Sequence, residues 1–269
     1  MNNVKSKINI HGLEINISEQ CNLSCKGCDH GMDVIASRQI PLQVLFRDIK
    51  EASQYFHAKT LRIIGGEPLL HPDLAQIIFE FKTINISNSI ELWTNGLLLD
   101  KVSKTNWEFL DGIVISKYPK IPNSWNSSTL RSIIEEYKVW INIRECNTFS
   151  WSMNLKKNKR VTAKILHNSC RESATCNTIR NGKFYKCVQS AFAKDRLFSS
   201  GIIIEDDGIE LHDTNISFEN FENHLWSNNP INACYYCFGE FGAKFPHKQI
   251  TDCDNDNSEK RFDDRFIIP

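Results

Sequence analysis

Apolar and polar residues alternate strictly through Leu13-Glu14-Ile15-Asn16-Ile17, the period-two pattern of a strand with one buried face. The period then changes: Leu42, Leu45, Phe46 and Ile49 recur at helical spacing, with Pro41 where a first helical turn tolerates it. Thr60 to Ile64 reads as a short strand ending at Gly65-Gly66-Glu67-Pro68. Leu74, Ile77, Ile78 and Phe81 mark a helix opened by Pro72-Asp73, and Ile90 to Thr94 a strand that stops at Asn95-Gly96. Gly112 to Ser116 is a fourth strand, Leu130, Ile133, Ile134 and Tyr137 belong to a further helix, and Val139 to Ile143 is a fifth strand. Strands alternating with helices of this length require crossover connections and a parallel sheet, so residues 1–150 are an α/β unit, a curved or barrel-like array of five or six β/α repeats. In such folds chemistry gathers on loops at the carboxyl ends of the strands. Cys21 to Cys28, Gly65 to Glu67, Thr94 to Gly96, Ser116 to Tyr118 and Arg144-Glu145 all stand there.

From Trp151 the alternation stops. Trp151 to Arg160 is a polar connector. Asn181-Gly182 between Thr178-Ile179-Arg180 and Lys183-Phe184-Tyr185 is a strong hairpin signal, because both turn residues accept positive φ. Phe218 to Trp226 reads as a helix. A second unit over residues 151–254 and a polar tail over 255–269 complete the expected organisation.

Charge narrows the function classes. Among 269 residues Lys+Arg and Asp+Glu both number 32, and no basic block supports nucleic-acid or membrane-surface binding. No apolar run approaches the ~18 residues of a membrane span, so a soluble cytoplasmic protein is expected. The ten cysteines add chemistry: in a reducing compartment, short Cys spacings point to metal rather than disulfides. Eight fall in such groups, while Cys146 and Cys253 stand alone. Cys21, Cys25 and Cys28 put three soft thiolates on one short loop, enough for one face of a [4Fe-4S] cube with one iron left open. A zinc knuckle or ordinary buried thiols are the alternatives.

With Cys-x3-Cys-x2-Cys after the first strand and Gly-Gly-Glu-Pro after the second, the first 150 residues resemble the radical S-adenosylmethionine (radical SAM) enzymes. The resemblance implies a partial (β/α)6 barrel, a [4Fe-4S] cluster on Cys21, Cys25 and Cys28, and SAM on the open iron. It also implies that Gly65 and Gly66 let the backbone approach SAM and that Glu67 offers its carboxylate to the SAM ammonium. Thr94, Asn95, Ser116 and Arg144 stand where such enzymes contact the ribose and carboxylate of SAM, and each is equally readable as a satisfied strand-end polar group. A flavodoxin or ferredoxin-type electron donor is implied as well. Many relatives carry an aromatic residue where this chain has Gly27, so adenine stacking has to come from elsewhere.

Cys170, Gly182, Cys187 and then Cys234-x2-Cys237 resemble the auxiliary-cluster region of SPASM and shorter Twitch radical SAM enzymes, here a β-hairpin plus helix. The resemblance implies a second [4Fe-4S] cluster on four of Cys170, Cys176, Cys187, Cys234 and Cys237, with a structural zinc site as the alternative. In size and architecture the chain is similar to the Twitch-type 2-deoxy-scyllo-inosamine dehydrogenases. A small polar substrate, a sugar, cyclitol or aminoglycoside-like molecule, is therefore expected, undergoing oxidation or, if Cys146 or Cys253 returns a hydrogen atom, epimerisation. A maturase acting on a ribosomally made peptide is the alternative. Trp93, Trp107, Trp125 and Trp140 are expected in the core, and His71 as a capping or packing residue.

Overall fold

The computed structural model describes residues 6–101 and 103–250. Cys253 and the 255–269 tail, both singled out in the sequence, lie outside the described residues. Five strands follow one another with helices between: β1 (Ile8–Ser18), α1 (Leu42–Tyr55), β2 (Phe56–Gly65), α2 (Leu74–Ile84), β3 (Ser87–Thr94), β4 (Gly112–Lys117), α3 (Ser127–Tyr137) and β5 (Trp140–Glu145). Each strand pairs in parallel with the next. Then come β6 (Thr148–Ser150), α4 (Arg160–Ser169), α5 (Glu172–Thr175), β7 (Asn177–Arg180), β8 (Lys183–Tyr185), α6 (Val188–Phe198), β9 (Ile209–Glu210), α7 (Phe218–Trp226) and β10 (Lys244–Pro246). The fold is α/β, with an eight-stranded, mostly parallel sheet in the order β5-β4-β3-β2-β1-β7-β8-β9.

Strand alternation gives this sheet two unlike faces. One register row runs Ile15, Ile63, Leu92, Ile113, Ile141. It packs against Leu45, Ile49 and Ala52 of α1, Leu74, Ile77, Ile78 and Phe81 of α2, and Ile133 of α3. Each such side chain contributes roughly 1.5–3 kcal/mol by leaving water. The neighbouring row, Glu14, Arg62, Glu91, Gly112, Trp140, points to the opposite face. Capping sets the helix ends: the Asn126 side chain accepts from the Ser128 and Thr129 amides to start α3, and Asn85 and Lys138 turn left-handed to end α2 and α3.

The Asn181-Gly182 hairpin forms as its sequence requires, with φ of 53° and 75° at the turn. It does not stand apart from the β/α array: β7 pairs in parallel with the free edge of β1, matching Leu13 to Asn177 and Ile15 to Ile179. Asp48, buried on α1, holds the turn from below, accepting from the Gly182 amide at 3.0 Å and meeting His212 Nε2 at 2.7 Å. Three helices have no counterpart in the sequence reading, α4, α5 and α6. In α6, Val188 through Ala193 are all buried, so no polar face shows its period.

Among the tryptophans Trp107 is buried as expected, but Trp140 is 45% exposed. It lies on β5, which among the described residues has only β4 as a neighbour, and its ring covers Gly112 so closely that an added Cβ there would fall 2.1 Å from it. His71 packs as expected, with Nε2 3.0 Å from the Ile40 carbonyl and Nδ1 accepting from the Asp73 amide. Among the described residues no helix is long and apolar enough to cross a membrane.

Replacing Asp48 with Ala should cost about 1–3 kcal/mol in chemical denaturation, because it strands the buried Gly182 amide. Asp48→Asn, which keeps an acceptor, should cost less; a loss within about 0.5 kcal/mol for the alanine variant would show that α1 does not hold the hairpin.

Candidate metal and cofactor site

The three-thiol loop leaves β1 beside the end of β2. Burial pushes all three thiols up, Cys21 to about 11 and Cys28 to about 12. They are thus poor thiolates until a cation compensates the charge. N–H donors already point at their sulfurs: the Leu23 amide at 3.4 Å from Cys21 Sγ and Gln249 Nε2 at 3.1 Å from Cys25 Sγ, with His247 Nε2 3.2 Å from the same sulfur. Soft donors, short spacing and N–H groups directed at sulfur fit a thiolate-held iron-sulfur group.

Later segments hold this loop in shape. Lys26 N donates to Lys248 O at 2.9 Å and Ile250 N to Ser24 O at 2.7 Å, so the chain after β10 runs antiparallel beside it. His247 stacks on Tyr118 with centroids 4.6 Å apart. Arg196 of α6 donates to the Cys28 carbonyl and to Asp33, which in turn accepts from the Gly27 amide. Gly27 (φ 67°) faces the stacked pair Trp151 and Phe245, where an added Cβ would sit 3.0 Å from the Phe245 ring. His247, Gln249 and Arg196 escaped the sequence reading because no motif marks them; only long-range pairing brings them to the loop.

Gly65 and Gly66 are required by neighbouring backbone. A Cβ at Gly65 would come within 2.5 Å of Ser18 O, and one at Gly66 within 2.4 Å of Gln20 O. Their loop stays hydrogen-bonded to the cysteine loop through Gly66 N to Ser18 O and Glu67 N to Gln20 O. Glu67 turns into the fold. Its side chain has no exposed surface, and its carboxylate accepts from the Leu69 amide, the Thr94 hydroxyl and the Asn95 amide at 2.9, 2.6 and 2.8 Å. It ties the ends of β2 and β3 together, and burial, outweighing those three donors, raises it to about 7.

Thr94 is spent on Glu67, while Asn95 Nδ2 turns outward to Asn22 Oδ1 at 2.6 Å and Cys21 Sγ at 4.0 Å. Ser116 and Arg144 are register partners on β4 and β5, and the Arg144 guanidinium lies 4.9 Å over the Trp93 ring. Cys146 follows β5, with its amide on Lys117 O at 2.8 Å.

Cys170, Cys187, Cys234 and Cys237 line one cavity of about 30 Å³, together with His167, Glu172 and Lys186. Burial raises all four thiols, Cys234 to about 11, and raises Glu172 to about 7. Cys237 Sγ accepts from the Gly239 amide at 3.1 Å, and Gly239 also borders Cys170 Sγ. Cys176, grouped with them by sequence, is not part of this lining. It sits across β7 beside Thr175 and Arg62, whose Nη1 is 3.7 Å from its sulfur. Among the described residues no three His, Cys, Asp or Glu side chains are grouped as ligands of a single metal ion. The nine described cysteines are all free thiols.

The polar face of the sheet sets Arg144 and Trp93 beside Arg62, which motif reading passed over. Arg62 and Arg144 lie over Trp93 at 5.2 and 4.9 Å, Trp93 Nε1 donates to Glu91, and Arg62 pairs with Glu14 at 3.1 Å. Asn16, 2% exposed, has no partner for either amide atom. The strict alternation around Asn16 was the available signal: a polar residue in the middle of a central strand.

Because Glu67 is raised from 4.5 to about 7 by folding, the stability associated with its protonated form is present below pH 4.5 and lost as pH rises to about 7. That amounts to about 3 kcal/mol. In Glu67→Gln the fall in unfolding free energy between those pH values should shrink by that amount; identical pH profiles for the two proteins would overturn the assignment.

Residues 15–117 match the profile of the Radical SAM superfamily. Sequence relatives include a probable GTP 3',8-cyclase of Methanococcus aeolicus, 34% identical over 35% of this chain and 32% of its own length. The GTP 3',8-cyclase of Lactiplantibacillus plantarum is 28% identical over 42% of this chain and 37% of its own. This chain thus spans well under half the length of these curated relatives. Among solved structures, BtrN in complex with AdoMet and 2-DOIA aligns over 82% of this chain and 84% of its own, at 11% identity and a TM-score of 0.49. Streptococcus suis SuiB bound to S-adenosylmethionine aligns over 79% and 65%, at 13% identity and a TM-score of 0.40. Residues 15–117, which carry the three-thiol loop and the Gly-Gly-Glu turn on their strand ends, are thus similar to the Radical SAM superfamily.

Proposed function

We propose that this protein is a two-cluster radical SAM enzyme that removes a hydrogen atom from a small polar molecule and either oxidises or epimerises it. The observation that carries the reading is the relation of the two thiol sets. Helix α6 is capped by Cys187 of the four-thiol cavity and reaches Cys28 of the three-thiol loop through Arg196. Nine residues of helix put these ends on the order of 14 Å apart, so one substrate has room between two iron-sulfur groups. In this reading Cys21, Cys25 and Cys28 hold the first [4Fe-4S] cluster, and Cys170, Cys187, Cys234 and Cys237 the second. When bound, the reduced first cluster and SAM supply a 5'-deoxyadenosyl radical that takes a hydrogen atom from substrate.

The chain's own residues have separable tasks. Glu67 fixes the Gly65-Gly66 turn against β3, which leaves main-chain atoms of the turn to meet the methionine part of SAM. Asn95, Ser116 and Arg144 take the ribose and carboxylate. Trp151 and Phe245, packed over Gly27, offer the aromatic surface for adenine. On the polar sheet face Asn16, with a free donor and a free acceptor, suits a hydroxyl-rich substrate. Cys146 is the proposed hydrogen-atom donor if the outcome is epimerisation. A flavodoxin or ferredoxin-type protein supplies electrons.

The names of the sequence relatives favour a second reading, ring closure on a nucleotide such as GTP. The profile match ends at residue 117, short of Cys170 to Cys237, so the likeness bears most on radical generation. Anaerobic turnover with deuterated candidates separates the readings. Label from a cyclitol or aminosugar in 5'-deoxyadenosine supports the first, label from GTP the second, and label only from a precursor peptide a maturase.

Anaerobic reconstitution should give about eight irons per chain, from two clusters of four. Cys187→Ala should retain about four, Cys176→Ala the full content, and Cys21→Ala should form no 5'-deoxyadenosine. Four irons with one tightly held zinc would remove the second cluster. Cys146→Ala should leave a dehydrogenase active but stop an epimerase from delivering its final hydrogen; net epimerised product at unchanged rate would exclude Cys146 as donor.

A further inference from the structure

The four-thiol cavity holds two side chains that its ligand set does not need. Lys186 and His167 both line it, 4% and 6% exposed. A buried ammonium is costly unless charge or hydrogen bonds compensate it. Among the described residues Lys186 has no carboxylate in salt-bridge contact: its Nζ lies 3.2 Å from Ser227 O and 3.3 Å from His167 Nε2. The other ring nitrogen, His167 Nδ1, is 3.4 Å from Cys234 Sγ.

The chemistry of the imidazole orders these contacts. A ligating Cys234 is a thiolate and only accepts, so Nδ1 must carry the proton and donate to sulfur. Nε2 lies 3.0 Å from the Ser227 carbonyl, which can only accept, so Nε2 donates there, and Lys186 donates to the same oxygen at 3.2 Å. Both ring N–H groups then have an acceptor. The result puts the Lys186 ammonium, joined to His167 through the Ser227 carbonyl, behind an N–H···S hydrogen bond to Cys234. Hydrogen bonds to cluster sulfurs and nearby positive charge both favour the state with one more electron, and so raise the reduction potential.

We propose that Lys186 and His167 are positioning residues that raise the reduction potential of the iron-sulfur group held by Cys170, Cys187, Cys234 and Cys237, making it the better electron acceptor of the two. The proposal rests on reading those four thiols as cluster ligands. Glu172 lines the same cavity with Oε2 unpartnered, opposite in sign to Lys186 whenever it ionises.

The test uses the full chain, reconstituted anaerobically, with iron and sulfide counted before a redox titration followed by electron paramagnetic resonance. Lys186→Met, close in shape and uncharged, should keep both clusters and shift the midpoint of the second to a more negative potential, leaving the first unchanged. Lys186→Arg should restore most of the shift. Full iron content with a wild-type midpoint in Lys186→Met overturns the proposal. Should that variant lose iron, His167→Asn, which keeps an N–H for Cys234 but breaks the link to Lys186, carries the same comparison: a negative shift supports the proposal and an unchanged midpoint overturns it. Loss of the second cluster from both variants also overturns it, in favour of a purely structural role. A wild-type protein with only four irons defeats the two-cluster reading instead, which iron analysis reports separately.

Discussion

One buried carboxylate holds the two ends of this structure together. Glu19, just past β1 and two residues before the first cysteine, is 3% exposed and accepts from Arg180 of β7 at 2.7 Å and from Arg38 beyond the cysteine loop. Burial alone would raise its carboxyl, but the two guanidiniums more than reverse this and hold it below the ordinary value. Arg180 continues to Asp195 and the Ala191 carbonyl on α6. Strand end, loop return, hairpin and α6 are thus joined in one ionic network. Removing one member of such a network costs more than an exposed ion pair would, because its partners stay buried.

With that anchor in place β1 serves two neighbours at once. Its β2 side carries the β/α array, its β7 side the hairpin that leads into the four-thiol cavity. The sheet is apolar where helices cover it and polar on the other face, where Glu14, Arg62, Trp93 and Arg144 interact. A parallel sheet buried under helices on both sides would show near-continuous apolar strands. The alternation of Leu13 to Ile17 already announces that one face is reserved for something else.

Much of this was legible because it is local. Periodicity located five strands, the three helices between them and α7 after them, and the Asn-Gly turn located the hairpin. What was not legible depends on partners far away in the chain. Nothing in Asn177 to Arg180 says that β7 joins β1, because parallel pairing has no turn to mark it. The Gly-Gly-Glu motif placed Glu67 correctly along the chain, but its inward direction comes from Thr94 and Asn95. Cysteine spacing grouped five downstream thiols, and only the packing of α6 against the short helical turn at Asn232–Tyr235 selects four. Trp140 looked like core because it is large and apolar; its exposure follows from standing on the last strand of the sheet.

The contacts at Cys25 also constrain how the protein comes to be made. Gln249 lies 224 residues beyond the thiol it touches, and Lys248 and Ile250 pair with the same loop. During synthesis the three thiols leave the ribosome long before the segment that closes over them. A chain-closure contact of that separation forms late, after most of the sheet. The strands of the sheet can therefore pair while the cysteine loop is still open on one side, and residues 247–250 close over it late.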